Sequence, residues 1–287
     1  EKVYDLEIAL GYQHRGVEEL LLKQKRYNNR LAESICGDSV IAYNMAYSQI
    51  MEALSNTQIS DKAEIIRRIA LEMERIAIHI GDMGAIAGDI AYQMGASIFG
   101  VTRTLVINTM LEFCGSRFGR GFVTVGGVNF DLDENKIQRA IQTLDKVEKD
   151  VTRIVHTMLK NATVISRLEK TGTISLEKAK EIGLVGLPAK ACGINSDSRF
   201  NFPDEWNEKL NLKQKALTGV GDVNSRFKIR YKEIKESISF VKKLIKKLDE
   251  VRDENIIVST KKLIPNSFAL SIVEGWRGEI IHIATTN

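Results

Sequence analysis

The stretch DKAEIIRRIALEMERIAIHIGDM, residues 61–83, decides the fold of this chain. Its apolar residues recur every three or four positions, the spacing that places side chains on one face of an α-helix. Asp61, followed by Glu64 three residues later, is typical of a capping box at a helix start. The stretch therefore predicts a long amphipathic helix. Its buried face is formed by Ile65, Ile69, Met73, Ile76, Ile80 and Met83.

Small residues dominate the continuation of this helix. They are Gly81, Gly84, Ala85, Ala87, Gly88, Ala91, Gly95 and Ala96. A glycine inside a helix costs roughly 1 kcal/mol relative to alanine, so such a helix needs close packing against a neighbour or a cavity. We expect tight helix–helix contact here, with Asp89 buried on most sides.

Further patterns predict a mainly α fold of the α+β class, with a long-helix bundle core and small β elements. The other predicted helices span 16–54 with a break near Cys36, 97–118, 133–167, 175–182 and 222–249. The predicted strands span 3–10, 122–128, 255–260, 268–273 and 279–283. Residues 184–220 lack periodicity, and a loop of that length is often a binding element or a cover.

The length of 287 residues suffices for one domain with a substantial core. We predict a single domain over 1–287, and a division into 1–130 and 131–287 stays open. The sequence begins at Glu1 rather than Met and opens within a predicted strand. We therefore expect it to be part of a longer protein, truncated at both ends and incomplete at the C-terminus.

Charge and cysteine content exclude several classes of protein. The net charge of +4 comes from 41 basic and 37 acidic residues that are interleaved, so we predict no nucleic-acid partner. The cysteines Cys36, Cys114 and Cys192 are odd in number and far apart, which argues against a disulfide framework and favours a reducing, cytoplasmic location. Because charged residues such as Arg103 interrupt the apolar runs, we predict no membrane span and expect any membrane link to go through a partner.

Cys36-Gly37-Asp38-Ser39 has the spacing of a Cys-x-x-Cys metal motif, but a serine stands at its second position. Two thiolates at this spacing can hold one metal ion together, whereas an alcohol is a poor ligand for the metals that thiolates bind. Cys36 is the only metal-ligand candidate, and a buried structural thiol is the alternative. Cys114 and Cys192 fit no ligand spacing.

Several short motifs follow one another along nearly the whole chain. They are GYQHRGVE (11–18), CGDS (36–39), ERIAIH (74–79), GGV (126–128), ACGINSDSR (191–199), GDV (221–223) and EGWRGE (274–279). Their order resembles the large subunit of nickel–iron hydrogenases and its relative in the quinone module of respiratory complex I. The pattern is most similar to the energy-converting, membrane-associated hydrogenases and to complex I. The resemblance implies a bundle of the hydrogenase large-subunit type.

The same resemblance implies where a metal site would lie. Cys36 matches the first nickel-binding cysteine of the hydrogenases, Ser39 the second, metal-bridging one, and Tyr43 a histidine that follows. The second cysteine pair of the family would come after Asn287. Because sulfur is replaced by oxygen at position 39, we expect no nickel–iron centre and no cofactor held by this chain alone.

The resemblance to complex I implies a quinone site. His14 matches the turn histidine that hydrogen-bonds the quinone, and Asp89 matches an acid near that histidine. These two are the predicted catalytic residues, since quinone reduction needs a proton donor and a group that recharges it. Cys36, Ser39 and Arg277 are the predicted cavity residues. For His14 and Arg277, a hydrogen-bonded turn residue and a surface residue are the respective alternatives.

Other charged residues have two interpretations each. Asp222, Arg226, Arg230 and Glu233 are either ion pairs along one helix face or part of a partner- or cavity-facing network. For His79 we favour a hydrogen bond that packs helices together, because no second histidine lies nearby in the sequence.

We therefore predict a subunit of a membrane-associated multisubunit oxidoreductase. An iron–sulfur small subunit is the expected partner, and membrane subunits are reached indirectly, so that the chain is cytoplasmic and peripheral to the cytoplasmic membrane. We expect the isolated fragment to be inactive. The alternatives are a hydrogenase-related large subunit with an altered nickel–iron site and a non-catalytic assembly scaffold.

Overall fold

The computed structural model describes residues 4–24, 27–203, 206 and 219–287, and it confirms a mainly α fold with small β elements. The α-helices are α1 (Val17–Leu22), α2 (Asn29–Ala32), α3 (Val40–Leu54), α4 (Asp61–Asp89), α5 (Gln93–Cys114), α6 (Glu134–Leu159), α7 (Ala162–Leu168), α8 (Leu176–Glu181), α9 (Gly186–Ala191), α10 (Ser198–Asn201) and α11 (Val223–Leu248). The β-strands are β1 (Val123–Thr124), β2 (Gly127–Val128), β3 (Phe268–Gly275) and β4 (Gly278–Thr285).

Helix α4 is the centre of the bundle and packs against both α5 and α11. All six apolar residues predicted for its inner face are buried. The helix begins one residue earlier than expected, because Ser60 is the N-cap and its Oγ accepts a hydrogen bond from the Ala63 amide at 3.1 Å. Asp61 and Glu64 instead place negative charge in the first turn, where the helix dipole favours it.

The expected close contact of the small-residue segment is formed between α4 and α5. A Cβ atom at Gly84 would lie 3.2 Å from the Cβ of Phe99, so the two helix backbones approach closely only because position 84 has no side chain. Helix α5 begins at Gln93 and ends at Cys114, about one turn before the predicted bounds. Gly115 ends it with a φ of 72°, a left-handed conformation that glycine adopts without strain.

Several predicted elements differ from the structure. In place of a strand over 3–10, residues 4–9 form no regular structure and Leu10–Gln13 form a 3-10 helix, since no strand in the described ranges pairs with this segment. The predicted helix 133–167 is two helices, α6 and α7. The break follows from Asn161, whose side chain accepts hydrogen bonds from the amides of Thr163 and Val164 and caps α7.

The strands form two antiparallel hairpins. The segment 122–128, predicted as one short strand and turn, is instead the hairpin of β1 and β2. The predicted strand 255–260 is reduced to a single bridge between Ile257 and Gly127. Strands β3 and β4 pair from Phe268 with Thr285 to Gly275 with Gly278, which leaves Trp276 and Arg277 at the turn. Helices α9 and α10 lie in the segment predicted to be irregular, of which 204–205 and 207–218 lie outside the described residues.

Helix α5 is the one described helix whose length and apolar composition would allow it to cross a membrane. This differs from our expectation that Arg103 interrupts the apolar run. In the structure α5 packs against α4 and α6, as the core helix of a bundle does.

Candidate functional site

The loop before α3 meets the turn between β3 and β4, and this contact forms the candidate site. The Cys36 thiol donates a hydrogen bond to Asp38 Oδ1 at 2.9 Å, and Arg277 Nη2 donates to Asp38 Oδ2 at 2.7 Å. Arg277 Nη1 lies 3.6 Å from the Cys36 sulfur. The structure therefore brings together two of the predicted cavity residues, Cys36 and Arg277, and places Asp38 between them.

Trp276 fixes this turn against the loop. Its indole Nε1 donates to the backbone oxygen of Asp38 at 2.9 Å, and the Arg277 guanidinium lies 4.4 Å from the centre of the Trp276 ring. A cation over an indole face is attracted to it. Arg277 is thus directed toward Asp38 and Cys36, although its side chain remains 62% exposed.

Cys36 lies in surroundings that favour its neutral form. Burial raises the pKa of the thiol, and the hydrogen bond it donates to the Asp38 carboxylate raises the pKa further. A thiolate is the form that binds metals and attacks electrophiles. Near neutral pH the Cys36 sulfur is therefore held as a hydrogen-bond donor rather than as a ligand.

We expect Asp38→Asn to lower the pKa of Cys36, because it removes the carboxylate that favours the protonated thiol. In a Cys114→Ser, Cys192→Ser background, iodoacetamide should then alkylate Cys36 about threefold faster or more near neutral pH. Asp150→Asn, which changes an exposed ion pair with Arg153, is the matched control. An unchanged or slower rate in Asp38→Asn would contradict this account of the thiol.

Ser39 is buried, and its side chain faces Glu74 of α4. It occupies the N-cap position of α3 but makes no capping hydrogen bond with its side chain. Glu74 of α4 caps this helix instead, accepting hydrogen bonds from the amides of Ile41 at 2.7 Å and Ala42 at 3.3 Å. The Ser39 hydroxyl lies 3.5 Å from Glu74 Oε1. Burial raises the pKa of Glu74 to about 7, even though these backbone hydrogen bonds lower it.

Tyr43 is one turn further along α3. Its ring centre lies 5.9 Å from that of His282 in β4. Burial raises the pKa of the tyrosine and lowers that of the histidine, so both rings are favoured in their neutral forms. The position matched to a metal-site histidine therefore holds a phenol packed against a neutral imidazole.

No hydrogen bond or ion pair among the described residues joins His14 or Asp89, the two predicted catalytic residues, to this site. His14 is exposed after the 3-10 helix, and Asp89 is exposed at the last residue of α4, so its predicted burial is wrong. Within the described residues, neither side chain forms a hydrogen bond or an ion pair. The end of α4 opens to solvent, and hydration there avoids the cost that a buried carboxylate would carry.

A buried network of charged side chains lies next to the turn that carries Arg277. Lys190 of α9 is at its centre and contacts Asp197 at 2.7 Å, Glu233 at 2.8 Å and Glu274 at 3.3 Å. Burial lowers the pKa of Lys190, but the three carboxylates outweigh burial and raise it. Arg199 also pairs with Asp197, at 2.7 Å. The network is thus ionised and mutually paired, as buried charges must be.

Arg75 connects this network to the turn that carries Arg277. It donates hydrogen bonds to the backbone oxygens of Glu274 at 2.6 Å and Gly275 at 2.9 Å. His79, on the next turn of α4, lies 2.6 Å from Glu233 Oε2 and meets Trp276 edge to face at 6.2 Å. The helix-packing hydrogen bond expected of His79 is therefore present.

The charged series of α11 joins different elements rather than lying along one helix face. Arg230 pairs with Asp82 of α4 at 2.8 Å, and Glu233 belongs to the buried network. Arg226 donates to the backbone oxygens of Gly221 and Gly172, and Asp222 caps α11 through the Ser225 amide. The interpretation as ion pairs along one face of α11 is therefore wrong for Arg230 and Glu233.

Three residues of the site, Asp38, Glu74 and Lys190, were not predicted from the sequence. Two of these residues lie in recognised motifs that could have drawn attention to them. Asp38 is the third residue of CGDS, and Glu74 is the first residue of ERIAIH. Lys190 gave no comparable signal. A lysine in a non-periodic segment is ordinarily exposed, and only the fold reveals the three acids that surround it.

Comparison with known proteins identifies the family. Residues 89–282 match the model of the family described as respiratory-chain NADH dehydrogenase, 49 Kd subunit. The chain belongs to this family. The match confirms the resemblance drawn from the short motifs, and it establishes the chain as an oxidoreductase subunit of the NADH dehydrogenase and hydrogenase type.

The chain is also similar to subunits of several oxidoreductases. The chain is 26% identical to the membrane-bound hydrogenase subunit alpha of Pyrococcus furiosus, covering 98% of this chain and 69% of the relative. It is 28% identical to a subunit of the NADH-quinone oxidoreductase of Clostridium beijerinckii, over 97% and 75% respectively. It is 27% identical to formate hydrogenlyase subunit 5 of Escherichia coli, over 100% and 50%. All three are named as subunits, and one as membrane-bound.

Proposed function

We propose that this chain forms one wall of an electron-transfer site in a membrane-associated oxidoreductase complex, beside an iron–sulfur partner subunit. The observation that carries the proposal is the Cys36–Asp38–Arg277 cluster, in which a buried network fixes an exposed guanidinium at a turn. Membership in the 49 Kd subunit family supports the partner and the location. The relatives named as membrane-bound hydrogenase and as NADH-quinone oxidoreductase support the complex.

The residues present do not fit a nickel–iron centre held as in the hydrogenases. Of the first cysteine pair only Cys36 remains, and its thiol is protonated against Asp38. At the other position the Ser39 hydroxyl faces Glu74, which caps α3. A neutral thiol and an inward-facing alcohol are not the two thiolates that hold such metals. We therefore assign no step to a metal.

A quinone fits this chemistry better. Its reduction to a hydroquinone takes two electrons, supplied by the iron–sulfur partner, and two protons. Arg277 presents fixed donors that can hydrogen-bond a carbonyl oxygen of the quinone. The Cys36 thiol is neutral, so it does not repel the negative charge that develops on the quinone during reduction. The roles of His14 as proton donor and of Asp89 as the group that recharges it rest on the family resemblance alone, since no contact among the described residues joins either side chain to Arg277 or Cys36.

Arg277→Gln should raise the quinone KM of the assembled complex about tenfold, because it removes a charged donor from the acceptor oxygen. His14→Ala should instead lower kcat. Arg139→Gln, which changes an exposed ion pair with Glu112, is the control. An unchanged KM in Arg277→Gln together with an unchanged kcat in His14→Ala would overturn the quinone role and favour a scaffold. Stoichiometric nickel and iron in the purified complex would instead favour a hydrogenase.

A further inference from the structure

Glu74 of α4 is the side chain that caps α3, the helix that begins directly after the Cys36–Ser39 loop. Its two carboxyl oxygens accept hydrogen bonds from successive amides, Oε2 from Ile41 at 2.7 Å and Oε1 from Ala42 at 3.3 Å. Ser39, at the N-cap position, makes no capping hydrogen bond with its own side chain. The start of α3 is therefore held by a carboxyl group from another helix.

The capped end of α3 carries the loop that orients Arg277. Asp38, two residues before the helix, accepts a hydrogen bond from Arg277 Nη2 at 2.7 Å. Its backbone oxygen accepts another from the Trp276 indole at 2.9 Å. A shift of the first turn of α3 therefore moves Asp38 and both of these contacts.

No cation neutralises Glu74 in the part of the chain that the structure describes. Arg75 attracts its charge but forms ion pairs with other acids, and Asp38 repels it. Arg103 of α5 and Arg117 line the same cavity as Glu74, and neither forms an ion pair with it. The carboxylate therefore depends on its two amide donors to offset the cost of burial.

Protonation weakens the cap that Glu74 provides. Each of its oxygens accepts from an amide, so a proton on either one occupies an oxygen that is already an acceptor. Burial raises the pKa of Glu74 to about 7, against the effect of the two amides. The charged and neutral forms are therefore both populated near neutral pH. The cap is complete when the pH is above the pKa and is weakened below it.

We propose that Glu74 is a positioning residue whose ionised carboxylate holds the Asp38 loop against Arg277 and whose protonation releases that loop. The inference rests on the proposed function and deepens it, because occupancy of the site by a quinone then depends on the ionisation of one carboxyl group. Quinone binding at Arg277 is tighter above neutral pH than below it.

The fluorescence of Trp276 in the full chain measures the loop directly, because its indole is hydrogen-bonded to the loop. Trp206→Phe leaves Trp276 as the single tryptophan. We expect its emission to titrate with a midpoint near pH 7, and the titration to disappear in Glu74→Gln, which keeps an acceptor oxygen but cannot ionise. Glu112→Gln, which changes an exposed ion pair, should keep the midpoint. The same midpoint in Glu74→Gln, or no titration near neutral pH in the parent, would overturn the proposal.

Two other titratable side chains near Trp276 change charge on either side of this range. Burial lowers the pKa of His79, which meets the indole edge to face. Burial raises the pKa of the Cys36 thiol. A midpoint near neutral pH therefore separates Glu74 from both of them.

Hydrogen exchange of the Ile41 and Ala42 amides, followed by NMR, needs no substitution at Glu74. Their protection factors should fall several-fold as the pH drops below about 7. The Ala63 amide is the matched control, because the Ser60 hydroxyl that caps it has no charge to change. Constant protection of both α3 amides would refute the role of Glu74 even if Glu74→Gln failed to fold.

In the assembled complex, the quinone KM should rise on acidification in the parent and stay constant in Glu74→Gln. A KM that rises equally in both would show that Glu74 does not control the site. The fluorescence and exchange measurements involve neither a quinone nor a partner. If Arg277→Gln left the quinone KM unchanged, the proposed function would fail while these two results still stood.

Discussion

Lys190→Met should lower the free energy of unfolding by about 3–5 kcal/mol, because removing one partner of a buried ionic network leaves the others uncompensated. Lys190 is the cation that Asp197, Glu233 and Glu274 share in the interior. Without it the three carboxylates repel one another where water cannot screen them. Denaturation with urea, followed by circular dichroism, measures the change.

The pH dependence of stability in the same variant is a second test of the role of Lys190. The charged neighbours of Asp197 and Glu233 outweigh burial and hold the pKa of both carboxyl groups below their usual range. Their contribution to stability is therefore present at neutral pH and is lost as the pH falls. In Lys190→Met, protonation instead relieves the repulsion, so its stability deficit should shrink toward acid pH.

Lys178→Met is the matched control for both measurements. Lys178 forms an exposed ion pair with Glu181, and such pairs contribute less than about 1 kcal/mol. If Lys190→Met were as stable as this control, or its deficit grew on acidification, the network would not have the role described.

Gly186→Ala should both destabilise the protein and abolish the activity of the assembled complex. Gly186 has a φ of 60°, and a Cβ there would lie 1.9 Å from the Arg277 backbone oxygen and 2.4 Å from Gly278 Cα. No rotamer relieves an overlap with backbone, so the turn that carries Arg277 must move. We expect roughly 2–5 kcal/mol of destabilisation from the overlap and the left-handed backbone together.

Gly183→Ala separates these two causes. Gly183 has a φ of 65°, but nothing lies within 4 Å of a Cβ built there. This control should cost only the roughly 1–2 kcal/mol of the left-handed conformation and keep its activity. Equal stability and activity of the two variants would show that the Gly186 contact does not position Arg277.

The long helices could be predicted because each carries its own periodic signal. Helix α4 has an uninterrupted apolar face, and α11 has nearly the bounds that its periodicity predicts. The secondary-structure predictions are wrong where contacts with other residues, rather than periodicity, determine the local structure. The alternating residues of 3–10 resemble a strand but have no pairing partner in the described structure, and the side chain of Asn161 ends a periodicity that continues past it.

The site was predictable only in part, for a related reason. Cys36 and Arg277 could be found because they belong to recognisable motifs, and they do lie together. The roles of Asp38 and Glu74 depend on contacts between elements that are 239 and 33 residues apart. Neither local composition nor spacing encodes such contacts. The predicted burial of Asp89 is wrong because the small-residue segment of α4 is not enclosed along its whole length.

The hydrogen bonds of Arg75 to Glu274 and Gly275 join residues about 200 positions apart. During translation, α4 leaves the ribosome long before the acceptors of its central arginine have been made. Contacts of such long range form late in folding. Arg75 therefore cannot be enclosed, nor the Arg277 turn set in place, until the β3–β4 hairpin has left the ribosome.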